Sequence, residues 1–144
     1  MKEYNVAVLG ATGAVGREMI KVLEERAFPV KRLLPLASAR SAGTVLEWNG
    51  SPITVEEACD AAFEGMDIVL GAVSNAHAQA FAPHILQAGA VFIDNSSAFR
   101  LRDDVPLVVP EINPQDIALH HGIIANPNCS TIISMVALSG VARL

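Results

Sequence analysis

Cys129 has the most pointed chemical context in this chain. It stands in Asn126-Pro127-Asn128-Cys129-Ser130-Thr131, after a short apolar run and before an apolar stretch of helix length. A thiol at a helix start lies in the positive end of the helix dipole, which favours negative charge on sulfur and hence nucleophilic attack. Asn128 and neighbouring backbone amides are suited to steady an oxyanion on an attacked carbonyl. The competing reading of a lone cysteine is buried apolar filler. The second cysteine, Cys59, has Glu56, Glu57 and Asp60 as neighbours, which disfavour a nearby anion, and it reads as structural.

The strongest local signal is Gly10-Ala11-Thr12-Gly13-Ala14-Val15-Gly16, directly after a strand-like run and opening a helix. Gly10 permits the tight turn, Gly13 lets the backbone approach a pyrophosphate, and Gly16 lets helix pack closely on strand. The phosphates would meet the free amides at the helix start, around Thr12, Gly13, Ala14 and Val15. The spacing is GxxGxxG rather than GxGxxG, and an ordinary glycine turn is the alternative. An NAD site usually carries an acid about 20 residues beyond the glycines, at the end of the second strand. Here the segment is Ala37-Ser38-Ala39-Arg40-Ser41-Ala42-Gly43, with no acid. Arg40 suits a 2′-phosphate, and Ser38 and Ser41 can donate to it, so NADP is expected over NAD. The alternative is a solvated loop arginine. Arg100, in Asp94-Asn95-Ser96-Ser97-Ala98-Phe99-Arg100, likewise suits a phosphate dianion, the alternative being an exposed arginine paired with Asp103 or Asp104.

Apolar runs of strand length alternate with helix-length segments. Strands are expected at Asn5–Leu9, Arg32–Ala37, Asp67–Val73, Val91–Asp94, Leu107–Val109 and Gly122–Ala125. Helices are expected at Ala14–Arg26, with Val15, Met19, Val22 and Leu23 on one face, at Asn75–Gln87, and from Ser130 to about Leu144. Gly89 is a plausible stop for the second helix, and Pro83 weakens it or marks its start. Thr44–Trp48 and Pro52–Val55 flank Asn49-Gly50 and predict a small hairpin. The order predicts an α/β fold: a doubly wound, mostly parallel, Rossmann-like sheet with a hairpin insertion. In such sheets the strand-end loops converge on a cofactor crevice, bringing the cysteine and the glycine loop to one edge.

The 144 residues suffice for one domain, residues 1–144, with a substantial core. Hydrophobic residues make up 51% and charged residues 17%, which suits a sheet covered on both faces. The net charge of -5, with acids and bases interspersed, argues against nucleic acid. No apolar run reaches the ~18 residues of a membrane span. The two cysteines form no metal-ligand pattern, no signal peptide is evident, and a cytoplasmic, metal-free protein is expected.

The Gly10–Gly16 loop, the Ser38–Ser41 turn, the Asp94–Arg100 segment, Val109-Pro110-Glu111-Ile112-Asn113 and the Asn126–Thr131 hexapeptide occur in the order seen in aspartate-semialdehyde dehydrogenases. The chain resembles that family over essentially its whole length; the hexapeptide and the Asn-Ser-Ser-x-x-Arg segment are the specific part. The resemblance implies that Cys129 is an acyl-thioester nucleophile, that Arg100 binds the phosphate with Asn95 and Ser97 beside it, and that Arg40 and Ser41 hold the 2′-phosphate. It implies reversible, NADP-dependent conversion of aspartate semialdehyde and phosphate to aspartyl phosphate, on the route to lysine, threonine and methionine, by a homodimer when whole. The family keeps its acid-base histidine and substrate-carboxylate arginine in a second domain after the nucleophile. That domain is expected to be missing here, so this chain is expected to bind cofactor without turning over substrate. His77, His84, His120 and His121 read as surface histidines. Gly71-Ala72-Val73-Ser74-Asn75 departs from the family's more glycine-rich turn, which loosens the assignment of Ser74 as a nicotinamide contact. The last helix is apolar at Ile132, Ile133, Val136 and Leu138, a surface for the second domain or a partner subunit. Two alternatives stand: an enzyme similar to N-acetylglutamyl-phosphate reductase, which usually carries Gly where this chain has Asn128, and a stand-alone, non-catalytic NADP-binding domain.

Overall fold

The computed structural model describes residues 2–141. The elements run β1 (Tyr4–Leu9), α1 (Ala14–Glu25), β2 (Val30–Ala37), β3 (Val45–Trp48), β4 (Ser51–Thr54), β5 (Glu56–Glu57), β6 (Ile68–Gly71), α2 (Asn75–Gln87), β7 (Val91–Asp94), β8 (Ile123–Ala125) and α3 (Cys129–Val141). Short 3-10 turns lie at Asp60–Phe63 and Pro114–Leu119. Six strands form one parallel sheet in the order β5-β2-β1-β6-β7-β8. From β1 the chain winds outward through β2 and β5, then crosses back and winds the other way through β6, β7 and β8. The reversal falls between β1 and β6, and that switch point is where loops splay apart and a crevice opens. The expected doubly wound sheet is therefore present, with β3 and β4 as the separate antiparallel hairpin turning at Asn49-Gly50.

The strands read as apolar runs because both faces of the sheet are covered. Val6, Ala7, Val8 and Leu9 are all fully buried, and successive residues serve opposite layers. Ala7 and Leu9 join Leu36, Phe63, Ala78, Ala82, Ile85 and Phe92 under α2. Val8 joins Ala11, Ile20, Leu46 and Val55 under α1 and the hairpin. On α1 the buried residues are Gly16 and Ile20, and Val15 is 47% exposed. The bare backbone of Gly16 makes the closest approach, so the contact stripe is turned away from Val15.

Several boundaries differ from expectation. Leu107–Val109 is not a strand: Leu107 makes an isolated parallel bridge to Ala125, and the segment otherwise trails along β8. The third segment of the sequence pattern shortens to Ile68–Gly71, and β5 and both 3-10 turns have no periodicity long enough to announce them. Pro83 lies inside α2; it is exposed, so water can meet the carbonyl that its missing N–H leaves open. The final helix starts one residue early, at Cys129, and its expected last turn lies outside the described residues. α2 ends as expected at Gly89 (φ +79°), with the Gly89 amide donating to Leu86 O at 3.0 Å and the Ala90 amide to Ile85 O at 3.2 Å. A Cβ at Gly89 would meet nothing within 4 Å, so only the left-handed backbone opposes a side chain. Gly89→Ala is expected to cost about 1 kcal/mol, a fall in Tm of about 3 °C by thermal unfolding.

Candidate functional site

The parallel sheet sends every strand end of one sense to one edge, and that edge gathers the glycine loop, the β2 and β6 ends and the loop before Cys129. At the switch point a cleft of about 440 Å³ is lined by the glycine loop (Gly10, Thr12, Gly13), the β2 end (Ala37, Ser38, Ala39, Arg40, Ser41) and the β6 end (Ala72, Val73, Ser74). Gly10 takes φ +90°, and the amides of Gly10 and Ala11 donate to Leu36 O at 2.8 and 2.9 Å, pinning the turn over β2. Gly13 is the N-cap of α1 and supplies no side-chain cap, so the free amides at Ala14 and Val15 are left for an anion. A Cβ at Gly13 would have Gly10 O as its nearest neighbour, at 3.4 Å, so the space above this glycine is open. That cradle fits a dinucleotide pyrophosphate. Ser38 O accepts from the Ser41 and Ala42 amides at 2.8 and 3.0 Å, a tight turn with exposed Arg40 at its tip. Among the described residues Arg40 has no acid within salt-bridge distance.

Ser74 caps α2: its Oγ accepts from the His77 amide at 3.5 Å and lies 2.8 Å from His77 Nδ1. His77 itself lines the cleft, as do Glu57, Ala58 and Phe81. None of these four is marked by a motif. The spacing Ser74-x-x-His77 does place a histidine in the first turn of α2, at the loop edge of the sheet. Glu57 gives no sequence signal, because β5 spans only Glu56–Glu57. His84 sits 3.5 Å from Asp60, and His120 Nδ1 accepts from the Gly122 amide at 2.9 Å, both away from this cleft.

The tips of β7 and β8 are locked together. Asp94 is fully buried and accepts from the Ser96 amide at 3.1 Å and the Ser96 hydroxyl at 2.6 Å, which curls the chain after β7. The Asn126 amide donates to Asp94 O at 2.8 Å, and Asn126 Nδ2 donates to Asn95 Oδ1 at 2.7 Å. Arg100 closes the ring: Nε donates to Asn126 O and Nη2 to Asn95 O, each at 2.9 Å. The guanidinium is half-buried, and its other N–H groups have no protein acceptor among the described residues. The Ser97 amide donates to Asn75 Oδ1 at 2.9 Å, which joins this loop to the start of α2. Among the described residues Arg100 has no carboxylate partner. Arg102 takes that place, donating to Asp104 at 2.9 and 2.6 Å. Arg102's hydrogen bonds hold the exposed Asp104 carboxyl below the ordinary carboxylate range, and the pair lies at a second groove between α2 and the Ala98–Val105 stretch, apart from the crevice.

The loop held by Arg100 leads into Asn128 and Cys129. Asn128 Oδ1 accepts from the Ser130 amide at 3.0 Å, and its carbonyl accepts from the Ile132 amide at 3.0 Å, so Asn128 is the cap and Cys129 the first residue of α3. Cys129 is exposed, not interior filler. Capping occupies the Asn128 oxygen and leaves its Nδ2 as a donor. Three strand spacings of ~4.8 Å separate β1 from β8, which puts Cys129 roughly 14 Å along the edge from the glycine loop. Cys59 is also exposed, at the start of the Asp60–Phe63 turn.

Residues 5–120 match the family model of the semialdehyde dehydrogenase NAD-binding domain. The chain belongs to the semialdehyde dehydrogenase family. It is 50% identical over 139 residues to the aspartate-semialdehyde dehydrogenase of Bacillus subtilis, covering 96% of this chain and 40% of that protein. Its fold matches the structure of aspartate semialdehyde dehydrogenase II from Vibrio cholerae complexed with ASA, with a TM-score of 0.94, 46% identity, and coverage of 97% of this chain and 46% of that one. The Candida albicans enzyme with NADP shares the fold at 24% identity and a TM-score of 0.78. The chain thus spans about 40% of the length of the curated semialdehyde dehydrogenase it matches in Bacillus subtilis. No helix among the described residues is long and apolar enough to cross a membrane.

Proposed function

We propose that this chain forms the cofactor and nucleophile portion of an NADP-dependent, phosphorylating aspartate-semialdehyde dehydrogenase of the cytoplasm, a homodimer when whole. The observation that carries this reading is Cys129, exposed as the first residue of α3 on the same sheet edge as the open cradle at Gly13. Cys129 Sγ attacks the aldehyde carbon, and loss of hydride from the tetrahedral adduct leaves a thioester on the same sulfur. A bound nicotinamide supplies the hydride acceptor. Asn128 Nδ2 is the donor for the adduct's oxygen. The free N–H groups of Arg100 hold phosphate, with Asn95 and Ser97 shaping the pocket, and phosphate then displaces the thiolate to give aspartyl phosphate. Thr12, Gly13, Ala14 and Val15 hold the pyrophosphate, and Ser38, Arg40 and Ser41 hold the 2′-phosphate. Ser74 lines the cleft by the nicotinamide side as the cap of α2. The relatives favour aspartate semialdehyde over acetylglutamyl substrates, since those described above carry the former in their names.

Two measurements test this. Arg40→Ala is expected to weaken NADPH binding about tenfold and leave NADH within about twofold, by fluorescence titration. Equal affinities of the unsubstituted chain for the two cofactors, with no change on substitution, would remove the 2′-phosphate assignment. Iodoacetamide is expected to label Cys129 about tenfold faster than Cys59, which is also exposed, at neutral pH, read by peptide mass spectrometry. Equal labelling rates would count against an activated sulfur.

A further inference from the structure

The absence of an acid at the end of β2 is a property of the local sequence and not of the folded site. β5 pairs with β2 in parallel register, Ala37 against Glu57, so Glu57 stands one strand spacing from the residue that leads into Ser38. Its neighbour Glu56 points elsewhere, while Glu57 lines the same cleft as Gly10, Ser38, Arg40 and Ser41. The two charges are not spent on each other, since no ion pair joins Arg40 to Glu57. His77 faces them from α2 across the cleft.

We propose that Glu57 is a cofactor-specificity residue that works against Arg40. This rests on the cleft being the dinucleotide site. A ribose with a free 2′-hydroxyl can donate to a carboxylate, whereas a 2′-phosphate is repelled by it. Arg40 does the reverse. The cleft therefore holds both recognition chemistries, one delivered by β2's own loop and one by the adjoining strand, and it takes both dinucleotides with a narrowed preference for the phosphorylated one.

The test is the ratio of NADH to NADPH dissociation constants, measured by titration of the 144-residue chain. Glu57→Gln keeps size and removes the charge; it is expected to raise that ratio roughly three- to tenfold, with the gain on NADPH shrinking in high salt as screening removes the repulsion. Glu57→Lys is expected to move the ratio further in the same direction. A purely structural role for Glu57 would weaken both cofactors together, with no salt dependence of the difference. A ratio that moves less than about twofold in both variants, while NADPH and NADH still bind, overturns the role of Glu57 and leaves the cofactor cleft standing. Failure of the unsubstituted chain to bind either dinucleotide overturns the cleft assignment and this proposal together.

Discussion

On the function proposed above, Cys129→Ala in an enzyme that contains this chain is expected to lower kcat for semialdehyde oxidation by at least about 10⁴-fold, because the route through a covalent thioester closes when its sulfur is gone. The structure makes this a clean test. Cys129 is exposed at the start of α3, and the cap bond to the helix comes from Asn128, so trimming the side chain opens no cavity and removes no cap. Thermal stability is expected to stay within about 2 °C, and NADPH affinity within about twofold. Cys59→Ala is expected to leave all three quantities unchanged. A loss of activity below about tenfold would mean that Cys129 is not the nucleophile. A large loss accompanied by equal loss of NADPH binding would mean that the sulfur serves the fold or the cofactor instead.

Arg100 shows why site residues are harder to read from sequence than the elements that carry them. Its type and its place after Asn-Ser-Ser suggest an anion ligand, and the free edge of the guanidinium keeps that role available. Its bonds to Asn95 O and Asn126 O add a second task, which is to fasten the loop entering Cys129 to the loop leaving β7. Those acceptors are backbone carbonyls, which every residue has, so no residue type reports them. Glu57 is hidden for a related reason: it reaches the cleft through strand pairing across the sequence gap that the hairpin fills. The glycine loop, by contrast, was legible because strand, turn and helix are contiguous. The doubly wound, mostly parallel architecture was legible because apolar runs separated by helices admit few windings, whereas the strand order came only with the structure. Val15 marks the limit of periodicity. A 3.6-residue repeat finds the apolar side chains, and it cannot see that a glycine one residue on sets the line of contact.

Gly16 and Gly13 of the loop are expected to separate experimentally into two kinds. At Gly16 a methyl group would overlap Gly10 O and stand 2.8 Å from Ala11 Cα, all backbone beneath a helix packed on β1. Neither atom can rotate away, so α1 must lift off the sheet and loosen Ile20 from Val8 and Ala11. Gly16→Ala is expected to cost about 3 kcal/mol and to lower Tm by about 10 °C. At Gly13 the backbone is extended (φ -74°, ψ 166°), a conformation open to any residue, and a methyl group meets only Gly10 O at 3.4 Å. Gly13→Ala should therefore fold with Tm within about 2 °C of the unsubstituted chain. The same methyl group would project into the cradle and hold the pyrophosphate off the amides of α1. NADPH affinity is expected to fall at least about thirtyfold. Equal cofactor affinity in Gly13→Ala and the unsubstituted chain would remove the pyrophosphate from this loop, whatever happens to Gly16. The contrast between a glycine that the fold requires and one that only a ligand requires separates a dinucleotide cradle from an ordinary strand-to-helix turn.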